Sequence, residues 1–215
     1  MKDNFQDWTQ RAQRYWYVDG LAEIGAGAVI IFLGLFYVIS GLIKDDGFRG
    51  LFIAVGQIII VIALPLLARV IVARMKERVT YPRTGYIAYR RQGLSRRIGT
   101  ILLTIGVAAV VGVVVYLIEN WMNLRWLPVV IGLTAALLIL VIAYRIGLPR
   151  FYILAGYTLA IGVITGLLSL AEPYDSGVFF SGLGLGWLVS GGVTLLRYMR
   201  NTRPADQTMM DGERG

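Results

Sequence analysis

Two carboxylates, Asp19 and Glu23, are the residues of this chain most suited to chemistry by type and spacing. They stand four residues apart, where a polar N-terminal segment meets the first long apolar run. A helix that continued through both would place them on one face. This pattern predicts a carboxylate site at the membrane surface. With Arg74 or Arg97 nearby, we expect the two groups to form ion pairs rather than to catalyse a reaction.

Other reactive side chains are scarce in the composition. The 215 residues include no cysteine and no histidine. Disulfides, thiol chemistry, Cys/His metal sites and histidine general bases are therefore excluded within this chain. The three lysines, Lys2, Lys44 and Lys76, all lie in polar segments, which argues against a Ser–Lys dyad. We expect no catalytic, cofactor or metal site, and hence a protein that is not an enzyme.

Six long apolar runs, which hold more than half of the residues, set the fold class. Each has about the 17–25 residues that a helix needs to cross a bilayer. The chain is 57% hydrophobic, with a mean hydropathy of +0.66. We predict an all-α integral membrane protein: a six-transmembrane-helix bundle with an N-terminal interfacial amphipathic helix and both termini cytoplasmic. The predicted spans are 24–43, 51–73, 101–118, 127–144, 151–170 and 178–196.

The basic residues indicate how the bundle is oriented. With these spans, only Lys44, Arg49 and Arg125 of the 21 lysines and arginines fall on one side of the membrane. An excess of basic residues marks the cytoplasmic side. The net charge of +8 is then explained by topology and by contact with anionic lipid headgroups, so we predict no nucleic-acid partner. Short links favour a prokaryotic plasma membrane.

The polar segments define the remaining organisation. Residues 1–20 carry aromatic residues three or four apart and predict a helix on the membrane surface, broken at Asp19 and Gly20. Residues 21–199 form the membrane domain, including a basic cytoplasmic loop at 74–100. Residues 200–215 are polar and are expected to be a disordered cytoplasmic tail.

The basic loop is the candidate interaction surface. Strand-forming residues at 79–81 and 86–89 flank a turn with proline and glycine, which is typical of a small β-hairpin. An ordinary basic linker is the alternative interpretation. The residues selected for interaction are Tyr81, Pro82, Arg83, Gly85, Tyr86, Tyr89, Arg90 and Arg91.

Small and polar residues within the spans predict how the helices pack. Four-residue spacing places small side chains on one helical face, where backbones can approach closely. We expect two such stripes to pack together or against another span; lining of a permeation path is the alternative. In span two, Pro65 predicts a kink near residues 61–62, and Gln57 should face the bundle. The stripes are Thr158, Gly162 and Gly166, and Gly182, Gly186, Ser190 and Thr194.

The function predicted from these features is non-catalytic. No charged residue lies in the middle of a predicted span, which argues against ion-coupled transport. We expect an accessory, scaffold or regulatory membrane subunit that contacts a membrane or cytoplasmic protein, or another copy of itself. The alternative is a small transporter or channel for a neutral or amphiphilic solute passing Gln57. A third interpretation is a lipid-interacting protein whose loop arginines bind anionic headgroups.

Overall fold

The computed structural model describes residues 17–80 and 126–202, and all regular structure within these ranges is helical. Each of its five helices is long and apolar enough to cross a membrane. The all-α class is therefore confirmed for the described residues. The helices are α1 (Leu21–Ser40), α2 (Asp46–Val79), α3 (Leu127–Ile146), α4 (Pro149–Leu168) and α5 (Tyr174–Asn201).

Five of the six predicted spans correspond to these helices. The third, at 101–118, lies outside the described residues, as do residues 1–16 of the predicted interfacial helix. Helix α5 continues to Asn201, so the first two residues of the predicted disordered tail are helical instead. The backbone N–H of Thr202 donates to the carbonyl of Tyr198 and closes that last turn.

Helix α2 is longer than its apolar run predicts. It has 34 residues, or about 51 Å at 1.5 Å per residue, against roughly 30 Å of hydrocarbon. The side chain of Asp45 begins it by accepting a hydrogen bond from the backbone N–H of Phe48 at 2.6 Å. Good helix formers such as Lys76 and Arg78 carry it past the apolar part.

The prediction that a strand begins at Val79 is wrong, because Val79 is the last residue of α2. Thr80 follows as the C-cap, and its backbone N–H donates to the Lys76 carbonyl at 2.9 Å. Lys76 and Thr80 are both held by contacts with Asp19, so tertiary structure overrides the strand preference of valine here. The remaining residues of the predicted hairpin lie outside the described ranges.

The five helices pack in the order α2–α1–α5–α4–α3. Helices α3 and α4 form an antiparallel hairpin whose turn has Gly147 at a φ of 68°, with Pro149 at the start of α4. A positive φ is readily adopted by glycine, and proline suits the first helical turn. The start of α1, the end of α2, the start of α4 and the end of α5 consequently lie at one end of the bundle, called here the basic end.

Helices α1 and α5 meet along a seam of glycines that recur every seven residues. A Cβ on Gly27 would lie 2.8 Å from the Gly184 carbonyl oxygen, and one on Gly184 would lie 2.7 Å from the Gly27 carbonyl oxygen. Both distances are shorter than the contact that a Cβ atom can make with an oxygen, so neither position has room for a side chain. The two backbones are therefore in direct contact. The glycine seam consists of Gly20, directly before α1, and Gly27 and Gly34 on α1, opposite Gly191, Gly184 and Gly177 on α5.

The two predicted stripes of small residues pack against different helices. The stripe on α4 faces α3, where a Cβ on Gly162 would lie 3.0 Å from the Cα of Gly132. On α5, Gly182 and Gly186 face α4 and accommodate its Ile161 and Tyr157 side chains. The stripes therefore do not face each other. Thr158 and Gly166 of the first stripe are buried.

Candidate functional site

Four charged side chains from three helices and a preceding turn meet at the basic end of the bundle. This charge cluster comprises Asp19, Glu23, Lys76 and Arg150. Gly20, at a φ of 73°, separates Asp19 from α1, and the Leu21 N–H donates to Asp19 Oδ1 at 3.1 Å. The predicted break at Asp19 and Gly20 is therefore present. Because α1 begins at Leu21, Asp19 lies before the helix and Glu23 lies within it. The two carboxylates therefore do not share one helical face, and each meets a separate partner.

Asp19 pairs with the end of α2. Its Oδ2 lies 3.0 Å from Lys76 Nζ, and both side chains are buried. Thr80 Oγ1 donates to the same carboxylate oxygen at 2.8 Å. Tyr198 of α5 donates from its hydroxyl to the Thr80 carbonyl at 3.4 Å. These contacts attach the last turn of α2 to both α1 and α5.

Glu23 pairs with the start of α4. Its Oε1 lies 2.6 Å from Arg150 Nη2, and its Oε2 accepts a hydrogen bond from Ser190 Oγ at 2.8 Å. Arg150 also donates to Thr194 Oγ1 at 3.0 Å and to the backbone carbonyl of Tyr17. Ser190 and Thr194, expected only to pack, therefore supply polar contacts to this pair.

Tyr17 closes the cluster on the N-terminal side. Its ring packs edge-on against Phe151, with 5.4 Å between the centroids. Burial, and secondarily the Glu23 carboxylate, raise the pKa of Tyr17 above its ordinary value. The phenol is therefore neutral at physiological pH and contributes no further negative charge beside Glu23.

The arrangement pairs each buried carboxylate with a cation. A buried carboxylate is costly without an opposite charge and hydrogen bonds, and each of these two lies within 3.0 Å of a cationic nitrogen and accepts a hydrogen bond from a hydroxyl group. The expected ion pairing of Asp19 and Glu23 is present, but the partners are Lys76 and Arg150. Arg97 lies outside the described residues. Within residues 17–80 and 126–202, no group of three or more acidic side chains is placed to hold a metal ion.

The partners were missed because no local pattern connects them to the acidic pair. Arg150 is 127 positions from Glu23 in the sequence. Its position just after the Gly147 turn indicates only that it lies near a helix terminus. Lys76 follows an apolar run and is itself followed by Glu77 and Arg78, which is typical of a solvated helix end. The one usable signal was topological, since all of these residues fall on the predicted cytoplasmic side.

Elsewhere, Gln57 contacts α1 but is exposed, so it is not enclosed by the bundle as predicted. Its Oε1 accepts a hydrogen bond from the Tyr37 hydroxyl at 2.8 Å, while the Tyr37 ring stacks on Phe180 of α5. Helix α2 continues through Pro65 without a break. The eight residues of the candidate interaction loop lie outside the described ranges.

The fold and the charge cluster together describe the class of this chain. Five helices that can span a membrane indicate a multi-pass membrane protein. Comparison with protein-family models, with curated proteins and with solved structures finds no match. Any more particular function must therefore be argued from the geometry of the chain itself.

Proposed function

We propose that this chain is a non-catalytic accessory, scaffold or regulatory membrane subunit that acts through protein–protein contacts, with another protein or with itself. The proposal includes six spans, with the third at 101–118, and two cytoplasmic termini. It places the chain in the plasma membrane of a prokaryote, with anionic headgroups around the basic end.

The chain direction supports a sixth span. Helix α2 ends at the basic end, with Thr80. Helix α3 begins at the opposite end, because it is antiparallel to α4, whose first turn contains Arg150 beside Glu23. Residues 81–125 must therefore connect one end of the bundle to the other. A single apolar run, 101–118, has the length for that crossing.

The distribution of charge supports the orientation. Among the described residues, eight of the ten lysines and arginines lie towards the basic end, and basic residues mark the cytoplasmic side. Both carboxylates of the charge cluster are neutralised there. The eight are Arg69, Arg74, Lys76, Arg78, Arg145, Arg150, Arg197 and Arg200; the other two are Lys44 and Arg49.

The observation that carries the proposal is the attachment of Thr80, the residue directly before the candidate interaction loop. Thr80 is buried, bonded to Asp19 through its hydroxyl and to Tyr198 through its carbonyl. A loop that departs from such an anchored residue loses less conformational freedom on binding than one that departs from a frayed helix end. Attachment at this point therefore favours a binding role.

The test is to shuffle residues 81–91 at constant composition, beginning after Thr80 so that α2 keeps its last turn. The parent chain is first isolated in mild detergent at near-native expression, and any stoichiometric partner is identified by mass spectrometry. The shuffled loop should lose that partner, or lose self-association, while the chain still inserts in the membrane. Shuffling residues 203–213, a polar segment of the same length, is the matched control and should retain it.

Partner recovery by the shuffled loop equal to that of the parent would refute the proposed role. The alternative proposal, a transporter or channel for a neutral or amphiphilic solute, makes a different prediction. Because the chain has no native cysteine, single cysteines along α2 can be labelled without background. A water-soluble maleimide that reacts at position 57 would favour a path there, whereas labelling confined to the helix ends would argue against it.

A further inference from the structure

A groove of about 790 Å³ lies between the start of α4 and the end of α5. Its walls are apolar over most of their length, with Ile153 on α4 and Leu185, Val189 and Val193 on α5. Where the groove reaches the basic end of the bundle, it is lined by Arg150 and Arg197. The groove is therefore amphipathic along its axis.

The length of the groove matches one leaflet of a bilayer. Leu185 and Arg197 are twelve residues apart on α5, or about 18 Å along the helix axis. Half of a hydrocarbon core is about 15 Å. If Arg197 lies at headgroup level, the apolar part of the groove extends to the middle of the bilayer. Val189 and Ile153 are 63% and 74% exposed, as side chains that contact lipid would be.

The two arginines retain capacity for an anion. Arg197 is exposed and has no salt bridge to another described residue. Arg150 uses its terminal nitrogens for Glu23 and Thr194, but its buried Nε has no acceptor among the described residues. Guanidinium groups bind phosphate through directed, charge-assisted hydrogen bonds. The chemistry of this end thus complements a phosphate group.

We propose that the groove binds an anionic phospholipid from the leaflet at the basic end. One acyl chain lies between α4 and α5, and the phosphate lies at the end lined by Arg150 and Arg197. Arg197 supplies the selectivity for anionic lipid, because no carboxylate of residues 17–80 or 126–202 pairs with it. Arg150 remains bound to Glu23 and lines the groove beside the phosphate.

The test uses the full chain purified from nanodiscs of phosphatidylcholine and phosphatidylglycerol in equal amounts, with retained lipids counted by native mass spectrometry. Arg197→Gln should lower the ratio of retained phosphatidylglycerol to phosphatidylcholine about fivefold, the effect of one basic residue near an anionic surface. Arg145→Gln is the matched control. It removes the same charge at the same end, but from α3, outside the groove.

A second pair of variants tests the apolar part. Val189→Trp should fill the groove and reduce retention of both lipids, whereas Val141→Trp, at an exposed position on α3, should not. Equal effects of Arg197→Gln and Arg145→Gln would overturn the proposal, since they would indicate a general basic surface. A cysteine at position 189 that crosslinks to residues 81–125 or to a second copy would show a protein occupant and would also overturn it.

Discussion

Gly184→Ala, in the middle of the glycine seam, is the substitution whose effect the structure defines best. The added methyl would lie 2.7 Å from the Gly27 carbonyl oxygen and 2.7 Å from the Ile31 nitrogen, both backbone atoms. Ordinary contact is about 3.5–4.0 Å, so α1 and α5 must separate by roughly 1 Å. Neither backbone can rotate away as a flexible side chain would.

The expected loss of stability is about 1–3 kcal/mol, which is typical of overpacking a close contact. Separation of the helices also lengthens the 2.8 Å hydrogen bond from Ser190 on α5 to Glu23 on α1. Gly192→Ala is the matched control on the same helix, because its Cβ meets nothing within 4 Å. That change should stabilise α5 by about 0.5–1 kcal/mol. Because an alanine at position 184 gains the same propensity, the two variants should differ by the overpacking cost alone, about 1–3 kcal/mol.

The assay is unfolding of the purified chain in mixed micelles by increasing the mole fraction of a denaturing detergent, followed by circular dichroism. Gly184→Ala should unfold at a lower mole fraction than the parent, and Gly192→Ala at the same or a higher one. Equal midpoints for the two variants would refute the inference that α1 and α5 are in backbone contact. Gly27→Ala should reproduce the effect from the other helix.

Two further predictions concern polar contacts and use the same assay. Lys76→Met leaves the buried Asp19 carboxylate without its ion-pair partner and should destabilise the folded chain by about 3–5 kcal/mol. Adding Asp19→Asn should restore much of the lost stability. A Lys76→Met variant as stable as the parent would contradict this prediction. Tyr37→Phe removes the hydrogen bond to Gln57 and should cost about 0.6 kcal/mol, whereas Tyr144→Phe, at a position 81% exposed, should cost nothing measurable.

The helices were predictable because membrane spans are encoded in the local run of apolar residues. The end of α2 was not predictable from the sequence, because it depends on Asp19, some sixty positions away in the chain. A window that contains Val79, Thr80 and Tyr81 favours a strand. Only the contact of Lys76 and Thr80 with another segment makes this turn helical.

The glycine seam was visible in the sequence but was not recognised. Gly20, Gly27 and Gly34 recur every seven residues, as do the glycines of α5 that oppose them. Four-residue spacing selects Gly182 and Gly186 instead, and these face α4. A seven-residue repeat keeps residues on one side of a helix over several turns, and it is the pattern expected of two long helices in continuous contact.

The glycine seam and the charge cluster are physically connected. Close backbone approach of α1 and α5 allows the short side chain of Ser190 to reach Glu23 across the interface. The same approach places Tyr198, two turns further along α5, against the carbonyl of Thr80. Thr80, the residue before the candidate interaction loop, is thus held by contacts with Asp19 before α1 and with Tyr198 on α5. A change in the α1–α5 contact would be transmitted through Tyr198 to Thr80, the residue before the candidate interaction loop, and this coupling would be the physical basis of the proposed regulatory role.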